Sequence, residues 1–304
     1  MYEPPLIEPV RRIGARTFDF SRQVAVMAVV NRTPDSFYDR GGTFALDAAV
    51  TACRAAADSG ADWVDIGGAP FAPGPALSVS DEIDRVVPVV EAVRAASDVV
   101  ISVDTFDAAV ARAALAAGAD VVNDTTGLHD PGLAGVVAAA GATLVVTHSL
   151  AASRGAGPRT QFARPDYGDV VTEVRDFLAE RVAYAIGEGI APQNLIIDPG
   201  HDLNKTTQHS LELTRRLSEI AELGLPVLAA VSNKDFIGET LGAPREARVE
   251  GSLAAAIVAI TQGARIVRMH NVREAVAAVH MTEAIFGWRG PMGPLVHNTQ
   301  EANA

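Results

Sequence analysis

The chain has 304 residues, of which 48% are hydrophobic, enough for a sizeable packed core and too many for a disordered segment. A net charge of −12 disfavours nucleic acid and anionic membrane as partners, but leaves room for a small anionic substrate held by a few local cations. One cysteine, Cys53, excludes an intrachain disulfide framework and a cysteine metal centre. No apolar run is long enough to span a bilayer, and the opening MYEPPLIEPVRR lacks the apolar centre of a signal peptide. The expectation is a cytoplasmic protein with no membrane partner.

Residues 1–22 read as an irregular lead-in with a short hairpin around Gly14. Seven apolar residues, Val24 to Val30, then run without a break, the pattern of a strand buried on both faces. The run stops at Asn31 and opens into a loop of Thr33, Pro34, Asp35, Ser36, Asp39, Arg40 and two glycines. Helical patterns follow at 45–59, 80–96, 108–117, 131–140, 167–188, 209–223, 251–262 and 273–286. Strand patterns alternate with them at 61–66, 99–103, 120–122, 143–147, 194–197, 226–231 and 264–269. Residues 150–166 read as a polar loop, a short helical piece precedes residue 251, and residues 291–304 form a polar tail. Eight βα units within residues 23–290 predict a closed (β/α)8 barrel, a TIM barrel of the α/β class, as one domain. A doubly wound open sheet is the alternative, weakened because no GxGxxG follows the first strand.

Every strand pattern but the one at 61–66, which ends in Gly67-Gly68, ends in a polar residue. A parallel barrel gathers its eight carboxyl-terminal strand ends on one face. Asn31, Asp104, Asn123, His148, Asp198, Lys234, Arg268 and His270 should therefore converge. Taken singly, Asp104 or Asn123 could cap the next helix and Asp198-Pro199-Gly200 could be a turn. Repetition at one strand end after another favours a shared site. Asp104, Asn123, Asp198 and Lys234 suit a flat, nitrogen-rich heterocycle, because carboxylates and an amide carbonyl accept ring N–H protons while lysine donates. Asn31, Arg268 and His270 suit an anion, with or without a hard cation.

The motifs NRTPDSF at 31–37, DIGG at 65–68, RVVP at 85–88, SVDT at 102–105, Asn123-Asp124, Asp198-Pro199-Gly200, Ser232-Asn233-Lys234, Ile237-Gly238 and Arg268-Met269-His270 follow one another in order. In this the chain resembles the dihydropteroate synthase family over nearly its whole length. The resemblance implies a TIM barrel that forms homodimers. It also implies joining (7,8-dihydropterin-6-yl)methyl diphosphate to p-aminobenzoate, with release of diphosphate. It implies Asp104, Asn123, Asp198 and Lys234 for the pterin, and Asn31, Arg268 and His270 for the diphosphate. Magnesium would sit at Asn31 and Asp35. No covalent enzyme nucleophile is implied.

The match breaks in three places. The family's second loop, Gly-Gly-Glu-Ser-Thr-Arg-Pro-Gly, reads Gly67-Gly-Ala-Pro-Phe-Ala-Pro-Gly74, so Phe71 and Ala72 replace a threonine and an arginine. Losing a cation that stabilises the departing charge costs on the order of 3 kcal/mol. The family's Ser-Arg-Lys-Ser reads Ser232-Asn233-Lys234-Asp235, which sets a carboxylate where the p-aminobenzoate carboxylate is expected. Its His-Asp-Val reads His270-Asn271-Val272. Arg32 and Arg40 are extra cations that could replace the missing one. The expectation is a divergent second paralogue, its pterin half intact and its condensation with p-aminobenzoate weak or lost. The alternatives are a non-catalytic pterin-binding protein and a pterin-dependent methyltransferase-like barrel.

Overall fold

A computed structural model describes residues 1–32, 45–69, 77–158 and 160–297. After a hairpin of β1 (Val10–Ile13) and β2 (Arg16–Asp19), the chain alternates strands and helices. The order is β3 (Ala25–Asn31), α1 (Leu46–Asp58), β4 (Trp63–Gly67), α2 (Val79–Arg94), β5 (Val100–Asp104), α3 (Ala108–Ala116), β6 (Val121–Asp124) and α4 (Leu133–Ala140). It continues with β7 (Thr143–Thr147), α5 (Leu150–Ser153), α6 (Val170–Gly187), β8 (Leu195–Asp198), α7 (Thr207–Arg215), α8 (Leu217–Ala221) and β9 (Val227–Ala229). It ends with α9 (Asp235–Leu241), α10 (Val249–Thr261), β10 (Ala264–Met269) and α11 (Val272–Ile285). The eight strands β3 to β10 are parallel and close into a barrel, β10 pairing with both β3 and β9.

The expected barrel is therefore the observed one, and two local differences have local causes. The helix expected at 209–223 divides at Arg216, whose guanidinium binds Glu212, Glu219 and Asp169. The loop expected at 150–166 begins with one helical turn, α5, because the Ser149 hydroxyl accepts from Ala152 N–H.

Alternation along the strands explains both sides of the barrel wall. Val26, Ala28, Val64, Ile66, Ile101, Val103, Val122, Leu144, Val146, Leu195, Ile197 and Val267 are buried against the helices. The inward set is apolar only at the bottom: Ala25, Met27, Trp63, Val100, Val121, Val145, Ile196, Leu228 and Ile266. Two residues further along the same faces come Asp65, Ser102, Asn123, Thr147, Asp198 and Arg268. The barrel is oily below and polar above.

The hairpin is the floor. Phe18 and Phe20 stack at 5.6 Å, and Phe18 meets Trp63 edge-on at 5.8 Å. Buried Arg11 donates to the carbonyls of Ile7, Glu8, Gln193 and Leu195, fastening the hairpin to the start of β8. The wall is also sealed at its seam: the Glu283 carboxylate on α11 accepts from Val24 N–H at the start of β3.

Phe20→Ala removes a fully buried ring from this floor. It should lower stability by about 3–5 kcal/mol, read as a fall in the urea midpoint at unchanged m-value.

Candidate functional site

Above the oily floor, one carboxylate organises the barrel interior. Asp65 lies in the middle of β4 and is 0% exposed. Its Oδ1 accepts from Ser102 Oγ at 2.6 Å. Its Oδ2 accepts from Asn123 Nδ2 at 3.0 Å and from Arg268 Nε at 2.7 Å. Arg268 thus reaches from β10 to β4, and its Nη2 lies 3.4 Å from Asp104 Oδ2. Strand register brings the rest together: Asn31 is level with Gly67, Gly67 with Asp104, Asp104 with Asn123, and Thr147 with Asp198.

The electrostatics follow from burial and neighbours. Burial pushes the Asp104 carboxyl up to about 7, Asp65 adds repulsion, and Arg268 opposes both. Burial lowers the Arg268 pKa, but the nearby Asp65 and Asp104 outweigh it, so the guanidinium stays charged. Burial raises the Asp198 pKa against the pull of Lys234 and the Gly200 N–H, which donates to Asp198 Oδ1 at 2.7 Å. Burial lowers the Lys234 pKa while Asp202 and Asp198 hold it up, and its Nζ donates to His201 O at 2.5 Å. Asn123 Oδ1 and Thr147 Oγ1 are buried without a hydrogen-bond partner among the described residues. Such atoms are uncommon in a folded interior, and these two lie on the polar inward layer of β6 and β7.

The anion-suited residues sit beside this group. His270 contacts the Ser232 hydroxyl through Nδ1 at 3.0 Å and through its backbone N–H at 3.1 Å. Asn31 ends β3, its Oδ1 over the bare Cα of Gly67, where a Cβ would stand 3.0 Å away. Arg32 is turned to α2, its Nη1 donating to Asp84 O at 3.1 Å and Arg85 O at 2.6 Å. Pro88 lacks the N–H that would satisfy the Asp84 carbonyl, so this arginine repairs the helix. Arg85 in turn donates to Gly68 O at 3.0 Å and steadies the base of the second loop. Asp35, Arg40, Phe71 and Ala72 lie outside the described residues.

The sequence departures also have places. Asn233 Nδ2 donates to Asn271 Oδ1 at 3.2 Å, so the two positions where the resemblance has arginine and aspartate touch each other. Both side chains are neutral, so the contact adds no net charge. Asp235 is 67% exposed and pairs with Arg248 at 2.9 Å, which offsets part of the repulsion expected of it. Arg248 also donates to the carbonyls of Asn233 and Lys234 and fills the space beside Gly238 that a Cβ would need.

Two participants are not singled out by the sequence as site residues. Asp65 is visible there only as the first residue of the DIGG motif at 65–68, with no role attached to it. Lys205, buried at the end of the turn after β8, carries no local signal.

A family model described as pterin binding enzyme matches residues 27–270. The chain belongs to the pterin binding enzyme family. It is 44% identical over 271 residues to a Mycobacterium leprae protein named inactive dihydropteroate synthase 2, covering 88% of this chain and 92% of that one. Among solved structures, Yersinia pestis dihydropteroate synthase in a sulfonamide drug complex superposes with a TM-score of 0.86. Identity there is 36%, over 92% of this chain and 100% of that one. Xanthomonas albilineans dihydropteroate synthase with 7,8-dihydropteroate gives 0.80 at 40% identity, over 91% and 99%.

Two outcomes test the electrostatics. Asp65→Asn leaves Arg268 short of its main counter-charge and should cost about 3–5 kcal/mol in urea unfolding. With Asp65 neutral, the Asp104 carboxyl should titrate below 7 by carbon NMR. Asp104 holds its proton to about 7 when folded but ionises near 3.8 when unfolded, so its contribution to stability is lost as pH rises between these values. Asp104→Asn should therefore gain stability over the parent as pH climbs from 4 to about 7, with a constant advantage beyond, in thermal melts across that range.

Proposed function

We propose that the barrel mouth binds (7,8-dihydropterin-6-yl)methyl diphosphate, the ring toward Asp104, Asn123, Asp198 and Lys234, the diphosphate toward Asn31, Arg268 and His270. The observation that carries the reading is the Asn123 amide. Asp65 fixes its nitrogen, so its buried and unpartnered Oδ1 is committed to accept. A pterin edge, rich in N–H groups, is the complement, flanked by the Asp104 and Asp198 carboxyls and the Lys234 donor. Arg268 supplies fixed positive charge within the same network, which a neutral heterocycle alone does not require.

Magnesium fits as a companion of the diphosphate. Asn31 offers a neutral amide oxygen in the room left by Gly67, and Mg²⁺ keeps most of its waters and takes few protein oxygens. When bound, the ion would neutralise part of the diphosphate charge. Asp35 would be its second ligand.

In a condensation, the C–O bond to diphosphate breaks with its electron pair leaving on the diphosphate. The amine nitrogen then bonds to the methylene carbon and loses a proton. Arg268 and His270 hold the departing charge, and Asp104 and Asp198 supply negative potential to the carbon left behind. The acceptor side of this chain is altered. Phe71 and Ala72 stand where the resemblance has threonine and arginine, and Asp235 stands where it has serine. We therefore assign weak or lost condensation with p-aminobenzoate, a reading supported by the similarity to relatives named inactive. A methyltransferase-like reading is disfavoured, since methyl transfer needs no anion site of Asn31, Arg268 and His270.

Exposed Val258, Met281 and Ile285 on α10 and α11 suit the pairing of two copies. Among the described residues no helix is long and apolar enough to cross a membrane, which accords with a cytoplasmic setting.

Calorimetry with the pterin diphosphate and Mg²⁺ should show binding, while p-aminobenzoate added to the complex yields little or no dihydropteroate. Turnover at an ordinary synthase rate, or rescue of a strain lacking its synthase, would reverse the assignment. His270→Ala should weaken the diphosphate compound by about tenfold, the scale of one hydrogen bond to a charged group, and leave 6-hydroxymethyl-7,8-dihydropterin unchanged.

A further inference from the structure

Beside the mouth, the turn at 199–204 joins Asp198 to the start of α7, and one ammonium holds it. Lys205 is only 7% exposed. Its Nζ lies 2.9 Å from His148 Nδ1, 2.9 Å from Gly200 O and 3.2 Å from Leu203 O. Three acceptors use all three ammonium protons, so none is left for a ligand. His148 accepts as a neutral ring: burial and then Lys205 hold its pKa well below the usual histidine range. Tyr167 closes the chamber, its ring facing His148 and Lys205 and its hydroxyl donating to Asn204 O at 3.1 Å.

The pinned turn touches the proposed ring site on both sides. Gly200 N–H donates to Asp198 Oδ1, and His201 O receives Lys234 Nζ. Asp202, held at a left-handed φ of 64°, accepts Phe236 N–H at 3.2 Å, just beyond Lys234 at the start of α9. The turn cannot shift without moving one of these. Gly200 itself sits at φ 69°, where a Cβ would meet His148 O at 2.8 Å.

We infer that Lys205 is a positioning residue: it touches no ligand, but ties the ends of β7 and β8 to the start of α9 and so sets the spacing between Asp198 and Lys234. This rests on the pterin reading of those two residues. Burial lowers Lys205 to about 7, with Asp198 and Asp202 raising it and Lys234 lowering it. His201 and His209 are the other titratable groups of the chamber, both lowered by burial and then by neighbouring lysines. A neutral lysine has two N–H groups for three acceptors, so the clamp weakens as pH rises past 7.

Three proteins decide the matter: the parent, Lys205→Met and Lys205→Arg, each titrated with the pterin diphosphate and Mg²⁺ from pH 6 to 8.5. Lys205→Met should bind at least about tenfold more weakly at pH 6, with Lys205→Arg restoring affinity to within about threefold. The arginine keeps its charge, so the affinity of the parent relative to Lys205→Arg should fall about tenfold between pH 6 and 8.5. Asp104 titrates in both proteins and cancels in that ratio. Equal affinities for all three proteins, or a ratio flat with pH, overturns the inference. Hydrogen exchange of residues 199–204 and 234–238 probes the clamp without ligand, so failure of the parent to bind pterin diphosphate would count against the pterin reading alone. Faster exchange in both segments in folded Lys205→Met, reversed in Lys205→Arg, supports the clamp. Unchanged exchange in either segment sinks it.

Discussion

The contact between the Asp65 carboxylate and the Arg268 guanidinium is the constraint on which the barrel mouth depends. An ionised carboxylate buried without compensation is among the most expensive objects a fold can contain. Here three donors from β5, β6 and β10 converge on it. They can do so only when the pairings from β10 through β3, β4 and β5 to β6 all keep their registers. A slip of one residue would turn Asp65, Asn123 or Arg268 toward the helices. The polar layer that forms the site is thus also a register key for the barrel, and removing the chemistry would also remove an element of specificity in folding.

That double role bears on where divergence is found. Among the described residues, the hydrogen-bond partners of Asp65 are Ser102, Asn123 and Arg268, and none of these is an altered position. Asn233 and Asn271 touch each other, and exposed Asp235 has Arg248 beside it. The second-loop changes lie in a segment whose base is held by Arg85 on Gly68 O. A chain can alter these edges at little cost to the interior. It cannot alter Asp65 or Arg268 so freely, because each is the other's counter-charge.

Much of this was legible in the sequence because strand ends are abrupt. An unbroken apolar run that stops at Asn31, Asp104, Asn123 or Asp198 announces both a buried parallel strand and the side chain it delivers. Asp65 was hidden by the same logic: an acid within an apolar run is readable as a position, but its three partners lie 37, 58 and 203 residues away. Lys205 was hidden because its burial depends on a turn conformation and on His148 from another strand. The hairpin was expected, but its task was not. The apolar spacing of residues 10–20 says nothing of the open barrel bottom that Phe18 and Phe20 close. The division of α7 from α8 at Arg216 turns on ion pairs, one of them to Asp169 far back in the chain.

The seam between β3 and β10, bridged by Glu283 on Val24, carries a consequence for synthesis. The first barrel strand made is also the one completed last, since one of its two neighbours and its terminal N–H partner arrive with the final strand and helix. A nascent chain emerging from the ribosome must therefore carry an apolar, half-paired strand edge until nearly everything has been translated. Such an edge invites pairing with other chains. Closure of β10 onto β3 removes that edge at the end of synthesis.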